Sequence, residues 1–135
     1  MTAFPEVSAG LSATIERQVN EAATARKLGS GTLDVLGTPE LVRWMEEAAV
    51  AALAGHLPTA FTTVGVAIAM QHTAATPVGL VVQVRAVLSE VQGRRLKFEI
   101  VARDEVEEVG RASHERVMVE VERFINQVFK KKPGF

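Results

Sequence analysis

The chain has 135 residues, of which 47% are hydrophobic and 23% charged, and its formal net charge is -1 at pH 7. This near-neutral balance argues against nucleic acid as the main partner, since nucleic-acid-binding domains carry basic patches. The absence of cysteine excludes disulfides, thiol nucleophiles and cysteine-ligated zinc. The histidines His56, His72 and His114 lie too far apart in sequence to suggest a metal site.

The N-terminal stretch MTAFPEVSAG lacks the basic and long apolar regions of a secretion signal. No run of about 20 apolar residues could span a bilayer. We therefore expect one domain over residues 1–135, located in the cytoplasm and without a membrane partner. The C-terminal Lys130, Lys131 and Lys132 are most simply a solvated tail.

The first elements along the chain are a strand and a helix. Apolar residues alternate over residues 11–19, which predicts a strand, and residues 32–36 could form a second, short one. The segment GTPELVRWMEEAAVAALAGHL, residues 37–57, predicts the clearest helix. Thr38 suits its N-cap and Pro39 its first turn, while Gly55 and Pro58 favour its end.

After the helix the apolar period changes from about 3.6 residues to 2. Four long strands are predicted, over residues 61–72, 79–91, 95–103 and 109–124. The alternation places Gly65 and His72 on opposite faces of the first of them, and the last has Val117, Val119 and Val121 as its alternating apolar residues. One helix buries its apolar surface best inside a curved sheet, so we predict an α+β fold in which an antiparallel sheet wraps around one long central helix.

Glu46 differs from the other charged residues of the predicted helix. Glu40, Arg43 and Glu47 form an exposed stripe, whereas the neighbours of Glu46 one or two turns away are apolar: Val42, Ala49, Val50 and Leu53. A carboxylate directed toward apolar surface is desolvated unless a cation or donor meets it, and such groups are candidates for acid–base or nucleophilic chemistry. Alternatively, Glu46 lies at the edge of the buried face and bends toward water.

The stretch HTAATPVG, residues 72–79, ends a strand with a histidine, several small residues and a Pro-x-Gly turn. His72 could be purely structural, and helix capping alone could explain Thr38. A hydroxyl at the helix start, a carboxylate within the helix and an imidazole at a strand end could instead converge on one pocket. Thr38, Glu46 and His72 are therefore candidate catalytic residues.

Three segments carry a more specific resemblance: GTPELVRWMEEAAVAAL, TVGVAIAMQHTAATPVG and VQGRRLKFEIVARDEVEEVGRASHERV. Over about residues 28–124 the chain resembles the hot-dog thioesterases related to fluoroacetyl-CoA thioesterase. The resemblance implies a hot-dog fold and hydrolysis of a small acyl-CoA by Thr38, Glu46 and His72. It also implies that Gly65 and Arg116 hold the thioester or the CoA part of the substrate.

The resemblance further implies no cofactor besides the CoA of the substrate, and assembly into at least a homodimer. One departure concerns the phenylalanine-bearing lid of fluoroacetyl-CoA thioesterase, because the matching stretch EAATARKLGSGTLDVLG contains no phenylalanine. The sequence therefore does not assign fluoroacetyl selectivity to this chain. The alternatives are a non-catalytic acyl-CoA-binding protein of the same fold, a hydratase, which the lack of an Asp-x-x-x-x-His arrangement disfavours, and a module that only dimerises.

Overall fold

The computed structural model describes residues 4–133. Within that range a short 3-10 turn, Glu21–Ala23, precedes the first helix. The helices and strands in chain order are β1 Ser12–Gln18, α1 Ala25–Leu28, α2 Thr38–Ala52, β2 Phe61–His72, β3 Val81–Gln92, β4 Arg95–Arg103, β5 Glu108–Glu120 and α3 Val121–Phe129. No helix in the described part of the chain is both long and apolar enough to cross a membrane.

The strands form one antiparallel sheet in the order β1-β3-β4-β5-β2, which leaves β1 and β2 at its edges. Helix α2 packs against the inner face of this sheet and buries its apolar side there. The largest buried side chains of helix and sheet include Leu41, Met45, Leu88, Leu96, Phe98 and Ile100. A curved sheet around one central helix is the hot-dog arrangement, and the predicted fold class is confirmed.

The predicted short strand at residues 32–36 is not formed. The chain makes only two isolated bridges there, between Thr24 and Leu36 and between Val35 and Pro77. Proline has no backbone N–H, so the second bridge cannot extend into a ladder. This segment instead hydrogen-bonds to α1 and to the loop after His72: the Val35 carbonyl oxygen accepts from the Ala25 amide, and the Leu36 amide donates to the Thr76 carbonyl oxygen.

The start of α2 also differs from the prediction. Gly37 is the N-cap residue and Thr38 is the first helical residue, with no side-chain hydrogen bond that caps the helix. Gly37 lies directly against α1, because a Cβ at this position would come within 2.8 Å of a Leu28 methyl group and 3.1 Å of the Ala25 backbone. The hydroxyl of Thr38 is consequently available to another partner.

A β-bulge in β2 overturns the predicted assignment of its faces. The register with β5 shifts between Gly65 and Ala67, so that Val66 is an extra residue. Gly65 pairs with Arg116 and His72 pairs with Gly110, and these two partners lie six residues apart on β5 and so share a face. Gly65 and His72 therefore both lie on the inner face, toward α2.

The last predicted strand ends earlier than expected. It stops at Glu120, and the helix α3 follows without a break. The apolar residues of α3 recur at helical spacing: Val121, Phe124, Ile125, Val128 and Phe129. The positions of β5 that face the core are Ala112, His114, Arg116 and Met118, whereas the alternating Val117 and Val119 are only partly buried.

A hydrogen-bonded turn anchors the loop that follows His72. Thr76 is fully buried, and its hydroxyl donates to Oδ2 of Asp104 over 3.0 Å. Oδ1 of Asp104 accepts from the backbone amides of Val106 and Glu107 at 2.8 and 2.9 Å. Burial tends to raise the pKa of Asp104, but these hydrogen bonds outweigh that effect and lower its pKa below the ordinary value.

Asp104→Ala should lower the free energy of unfolding at neutral pH by about 1–3 kcal/mol, because the buried Thr76 hydroxyl loses its acceptor. The lowered pKa of Asp104 means that its contribution is present above the ordinary carboxyl pKa and is lost as pH falls through the folded-state pKa. The difference between wild type and variant should therefore shrink in acid. Urea denaturation at neutral pH and at about pH 3 measures both effects.

The matched control is Asp34→Ala, which removes an exposed ion pair with Arg26. That change should cost less than about 1 kcal/mol. Equal losses in the two variants would contradict the anchoring role of Asp104.

Candidate active site

Thr38 and His72 form a hydrogen-bonded pair, which we call the threonine–histidine pair. Thr38 begins α2 and His72 ends β2, and Thr38 Oγ1 lies 2.9 Å from His72 Nδ1. The contact forms because Gly37, and not Thr38, caps the helix. Helix capping is therefore not the reason for a threonine at this position.

The imidazole of His72 is half-buried, and its Nε2 is buried without a hydrogen-bond partner among residues 4–133. Burial lowers the pKa of His72 below its ordinary value, although the backbone at Ala74 opposes this shift. The ring is therefore neutral near pH 7. Thr38 either donates to Nδ1, which leaves Nε2 protonated, or accepts from it, which leaves Nε2 as a base.

A cleft of about 270 Å³ adjoins the threonine–histidine pair. Most of its other lining residues are small or aliphatic: Ala25, Ser30, Val35, Leu36, Thr73, Ala74 and Ala75. The small residues after His72 thus leave open space beside the imidazole. A compact chemical group could reach the threonine–histidine pair through this cleft.

Glu46 belongs to a second group, which we call the glutamate–arginine cluster and which comprises Glu46, Gly65 and Arg116. Oε2 of Glu46 lies 3.5 Å from Nη1 of Arg116, and the two side chains are 42% and 9% exposed. Glu46 therefore lies at the edge of the buried face, as one alternative predicted, and it also meets a cation there. The carboxylate stays accessible while its charge is balanced by a buried guanidinium.

Gly65 provides the space that this cluster needs. A Cβ at Gly65 would lie 3.0 Å from Oε2 of Glu46 and 3.3 Å from Nη1 of Arg116. A side chain at this position would therefore press on the ion pair. The backbone of β2 can approach the carboxylate closely because the residue is glycine.

Arg116 is fixed from its other side by Thr63. Its Nε donates to Thr63 Oγ1 over 2.9 Å, and its Nη2 donates to the Thr63 carbonyl oxygen over 3.3 Å. Burial lowers the pKa of Arg116, while Glu46 raises it. These contacts place Arg116 beside Glu46, and its contact with CoA stays a prediction.

A single chain does not bring the predicted catalytic residues into one pocket. Thr38 and Glu46 are eight residues apart on α2, which corresponds to about 12 Å along the helix. His72 and Gly65 are seven residues apart on β2, or roughly 20 Å. The threonine–histidine pair and the glutamate–arginine cluster are thus separate in one copy of the chain, and the convergence of all three residues on one pocket stays a prediction.

Two polar residues of this region, Thr63 and His114, are absent from the predicted site. His114 is 1% exposed and lies 3.1 Å from Arg116 through its Nε2. The sequence contained a signal that could have identified them. Thr63 lies two residues before Gly65 and His114 two residues before Arg116, and residues i and i+2 share a strand face. Among residues 4–133, no group of three or more His, Asp or Glu side chains is arranged to hold a metal ion.

Comparisons with known proteins show the family of the chain. The family model of the fluoroacetyl-CoA-specific thioesterase FlK matches residues 19–122. The fluoroacetyl-CoA thioesterase of Streptantibioticus cattleyicolor is 43% identical over 101 residues, which are 75% of this chain and 73% of that protein.

Solved structures show the same relationship. A structure of the fluoroacetyl-CoA thioesterase FlK has a TM-score of 0.87 at 37% identity, and the match covers 94% of this chain and 98% of that one. A hot-dog-like protein from Thermanaerovibrio acidaminovorans has a TM-score of 0.90 at 22% identity over 100% of both chains, which shows the fold alone. The chain belongs to the fluoroacetyl-CoA-specific thioesterase family and is a thioester hydrolase with a hot-dog fold.

Proposed function

We propose that this thioesterase hydrolyses a small acyl-CoA to the free acid and CoA, with Thr38, Glu46 and His72 as its catalytic residues. The observation that carries the proposal is the half-exposed carboxylate of Glu46, held 3.5 Å from a buried arginine above a glycine backbone. A carboxylate in this position is accessible to a substrate and lies beside a buried cation. Such a group suits attack on a thioester or activation of water.

Two routes are open to Glu46. As a nucleophile it would attack the thioester carbonyl carbon and expel the CoA thiolate, and water would then hydrolyse the resulting mixed anhydride. As a base it would take a proton from a water molecule that attacks the same carbon. In both routes the neutral imidazole of His72 would assist proton transfer through Nε2. Thr38 would fix the orientation of the ring through its hydrogen bond to Nδ1.

Gly65 and Arg116 are proposed as substrate-binding residues. The exposed backbone at Gly65 lies beside Glu46, where the oxygen of the attacked carbonyl would gain negative charge. Arg116 would supply positive charge to the same region. A mutant of FlK has been solved with acetyl-CoA, which supports an acyl-CoA as the substrate class.

The acyl group of the substrate is proposed to be small, because alanines and other short side chains line much of the cleft beside His72. Residues 21–37 contain no phenylalanine, so a preference for fluoroacetyl is not part of the proposal. The single-domain organisation, the cytoplasmic location and the absence of a further cofactor remain predictions from the sequence.

We also propose a homodimer in which two copies complete the site. Strand β2 is an edge of the sheet, and an unpaired edge exposes backbone donors and acceptors. If two β2 edges pair antiparallel about an axis at Ala69, with Val66 again an extra residue, Gly65 of one copy faces His72 of the other. The same symmetry would bring Thr38 close to Glu46 of the other copy, so the glutamate–arginine cluster would meet the threonine–histidine pair.

Glu46→Gln should reduce acyl-CoA hydrolysis by at least about 100-fold without unfolding the protein, because the amide can neither attack nor accept a proton. Release of free CoA thiol from acyl-CoAs of increasing size, fluoroacetyl-CoA included, measures this loss. Glu47→Gln is the matched control, since Glu47 is the adjacent glutamate and pairs with Arg17 and Arg43. Stabilisation by CoA esters without thiol release in the wild type would indicate a binding protein instead.

Thr38→Val should lower the rate of thiol release and leave the free energy of unfolding within about 0.5 kcal/mol of wild type, a smaller change than the loss of a helix cap. The reason is that the hydroxyl bonds to His72 and does not cap α2. Thr38→Ser keeps the hydroxyl and should retain activity. If Thr38→Val loses stability, Thr38→Ser restores it, and the two variants release thiol at the same rate, Thr38 has a structural role.

Mixing two inactive variants tests whether one site uses two copies. Glu46→Gln and His72→Ala, unfolded together and refolded as a mixture, should regain about a quarter of the wild-type activity, because half of random dimers would contain one intact site of two. Each variant refolded alone should stay inactive. No recovery, despite mixed dimers shown by mass spectrometry, would place the complete site within one copy.

A further inference from the structure

His114 is a buried histidine to which the proposed reaction gives no role. It lies on the inner face of β5 and is 1% exposed. Its Nδ1 lies 2.8 Å from the carbonyl oxygen of Ala67, and its Nε2 lies 3.1 Å from Nη1 of Arg116. Both ring nitrogens are therefore engaged within the described structure.

These two partners determine which nitrogen of His114 carries the hydrogen. A carbonyl oxygen can only accept, so Nδ1 must donate to Ala67. A guanidinium can only donate, so Nε2 must accept from Arg116. The ring is consequently neutral and in a single tautomer. Burial lowers its pKa, as does the charge of Arg116, while the Ala67 carbonyl and Glu46 oppose the shift.

The carbonyl that orients His114 belongs to the first residue after the β2 bulge. The register with β5 shifts between Gly65 and Ala67, and a bulge locally disrupts the ladder of backbone hydrogen bonds. The Ala67 carbonyl accepts from the imidazole of His114 at this point. The same bulge brings Gly65 to the inner face, beside Glu46.

The guanidinium of Arg116 is held along two of its edges. Thr63 accepts from Nε and Nη2, while the Nε2 lone pair of His114 accepts from Nη1. Because the guanidinium is planar and rigid, these contacts fix the direction of Nη1, which also faces Glu46 at 3.5 Å. Loss of the His114 contact would leave only Thr63 to hold the guanidinium, so that Nη1 could swing about the edge that Thr63 holds.

We propose that His114 is a positioning residue, which as a neutral Nδ1–H tautomer aims Nη1 of Arg116 at the catalytic carboxylate of Glu46. This role rests on the proposed function of Glu46 and extends it to a residue that touches no substrate. The linked groups run from the Ala67 carbonyl through His114 and Arg116 to Glu46. The imidazole supplies an acceptor where most buried side chains would supply none.

Two substitutions separate positioning from simple packing. The side chain of His114→Gln is long enough to place an amide oxygen near the position of Nε2, so it keeps an acceptor for Arg116. The shorter side chain of His114→Asn ends near the position of Nδ1, so it keeps the bond to Ala67 and abandons Arg116. Both variants lose the ring, and thermal unfolding should show similar destabilisation of the two.

We expect His114→Asn to lower kcat about 100-fold, since small displacements of a catalytic group have effects of this size. His114→Gln should recover most of that loss, and KM should change much less than kcat in both variants. Assays are run well below the melting temperature of each variant, on an acyl-CoA that the wild type cleaves. If His114→Asn and His114→Gln lose kcat equally, in proportion to their loss of thermal stability, the positioning role is wrong.

A spectroscopic test does not depend on catalysis. In protein with ¹⁵N-labelled histidine, His114 should show the neutral Nδ1–H tautomer at neutral pH, because Nε2 accepts from Arg116. The charged groups that face it are Arg116 from β5 and Glu46 from α2. Its signals are assigned by their loss in His114→Gln, which distinguishes them from those of His56 and His72.

An Nε2–H tautomer or an imidazolium at neutral pH would overturn the inference, because neither could accept from Arg116. If His114 shows the expected tautomer but the Glu46→Gln variant is fully active, the proposed function is refuted. The contact between His114 and Arg116 would then still stand. The two failures are thus distinguishable.

Discussion

The pairing of β2 with β5 is the constraint on which the candidate site depends. A bulge at Val66 shifts the register, so that Gly65 faces Arg116 and the carbonyl of Ala67 accepts from His114. Without the extra residue, the alternation of side chains would place Gly65 and His72 on opposite faces of the sheet. One irregular residue at a sheet edge thus determines which polar groups reach the inner face.

The polar groups near Glu46 are buried to different degrees, and this difference has a chemical consequence. Arg116 is almost completely buried and hydrogen-bonded by Thr63 and His114, whereas Glu46 keeps 42% of its side chain exposed. A buried cation whose donors are hydrogen-bonded is costly to move, because in other positions its donors would be buried without acceptors. A rigid arginine can therefore hold an accessible carboxylate in place, which a surface ion pair would not do.

The separation of Thr38 and His72 from Glu46 connects the site to assembly. The elements that carry these residues are regular, so the distances along α2 and β2 cannot shorten without breaking them. A second copy of the chain would solve this problem through the edge of β2, whose backbone donors and acceptors a second strand could pair. In this arrangement, pairing of the two β2 strands would satisfy the backbone groups of the edge. The same pairing would bring Glu46 of one copy to Thr38 and His72 of the other.

The sequence by itself determined the α+β fold with one central helix and the approximate bounds of most strands, because apolar periodicity carries that information, and its local motifs indicated the hot-dog family. The helix α2, predicted over residues 37–57, ends earlier, at Ala52. It also singled out Thr38, Glu46 and His72. The tertiary structure decided what each residue contacts: Gly37 caps α2, Thr38 bonds to His72, and Arg116 meets Glu46. The physical reason is that a bulge, a close approach of backbones and a buried hydrogen bond depend on residues distant in sequence, which periodicity within one segment does not register.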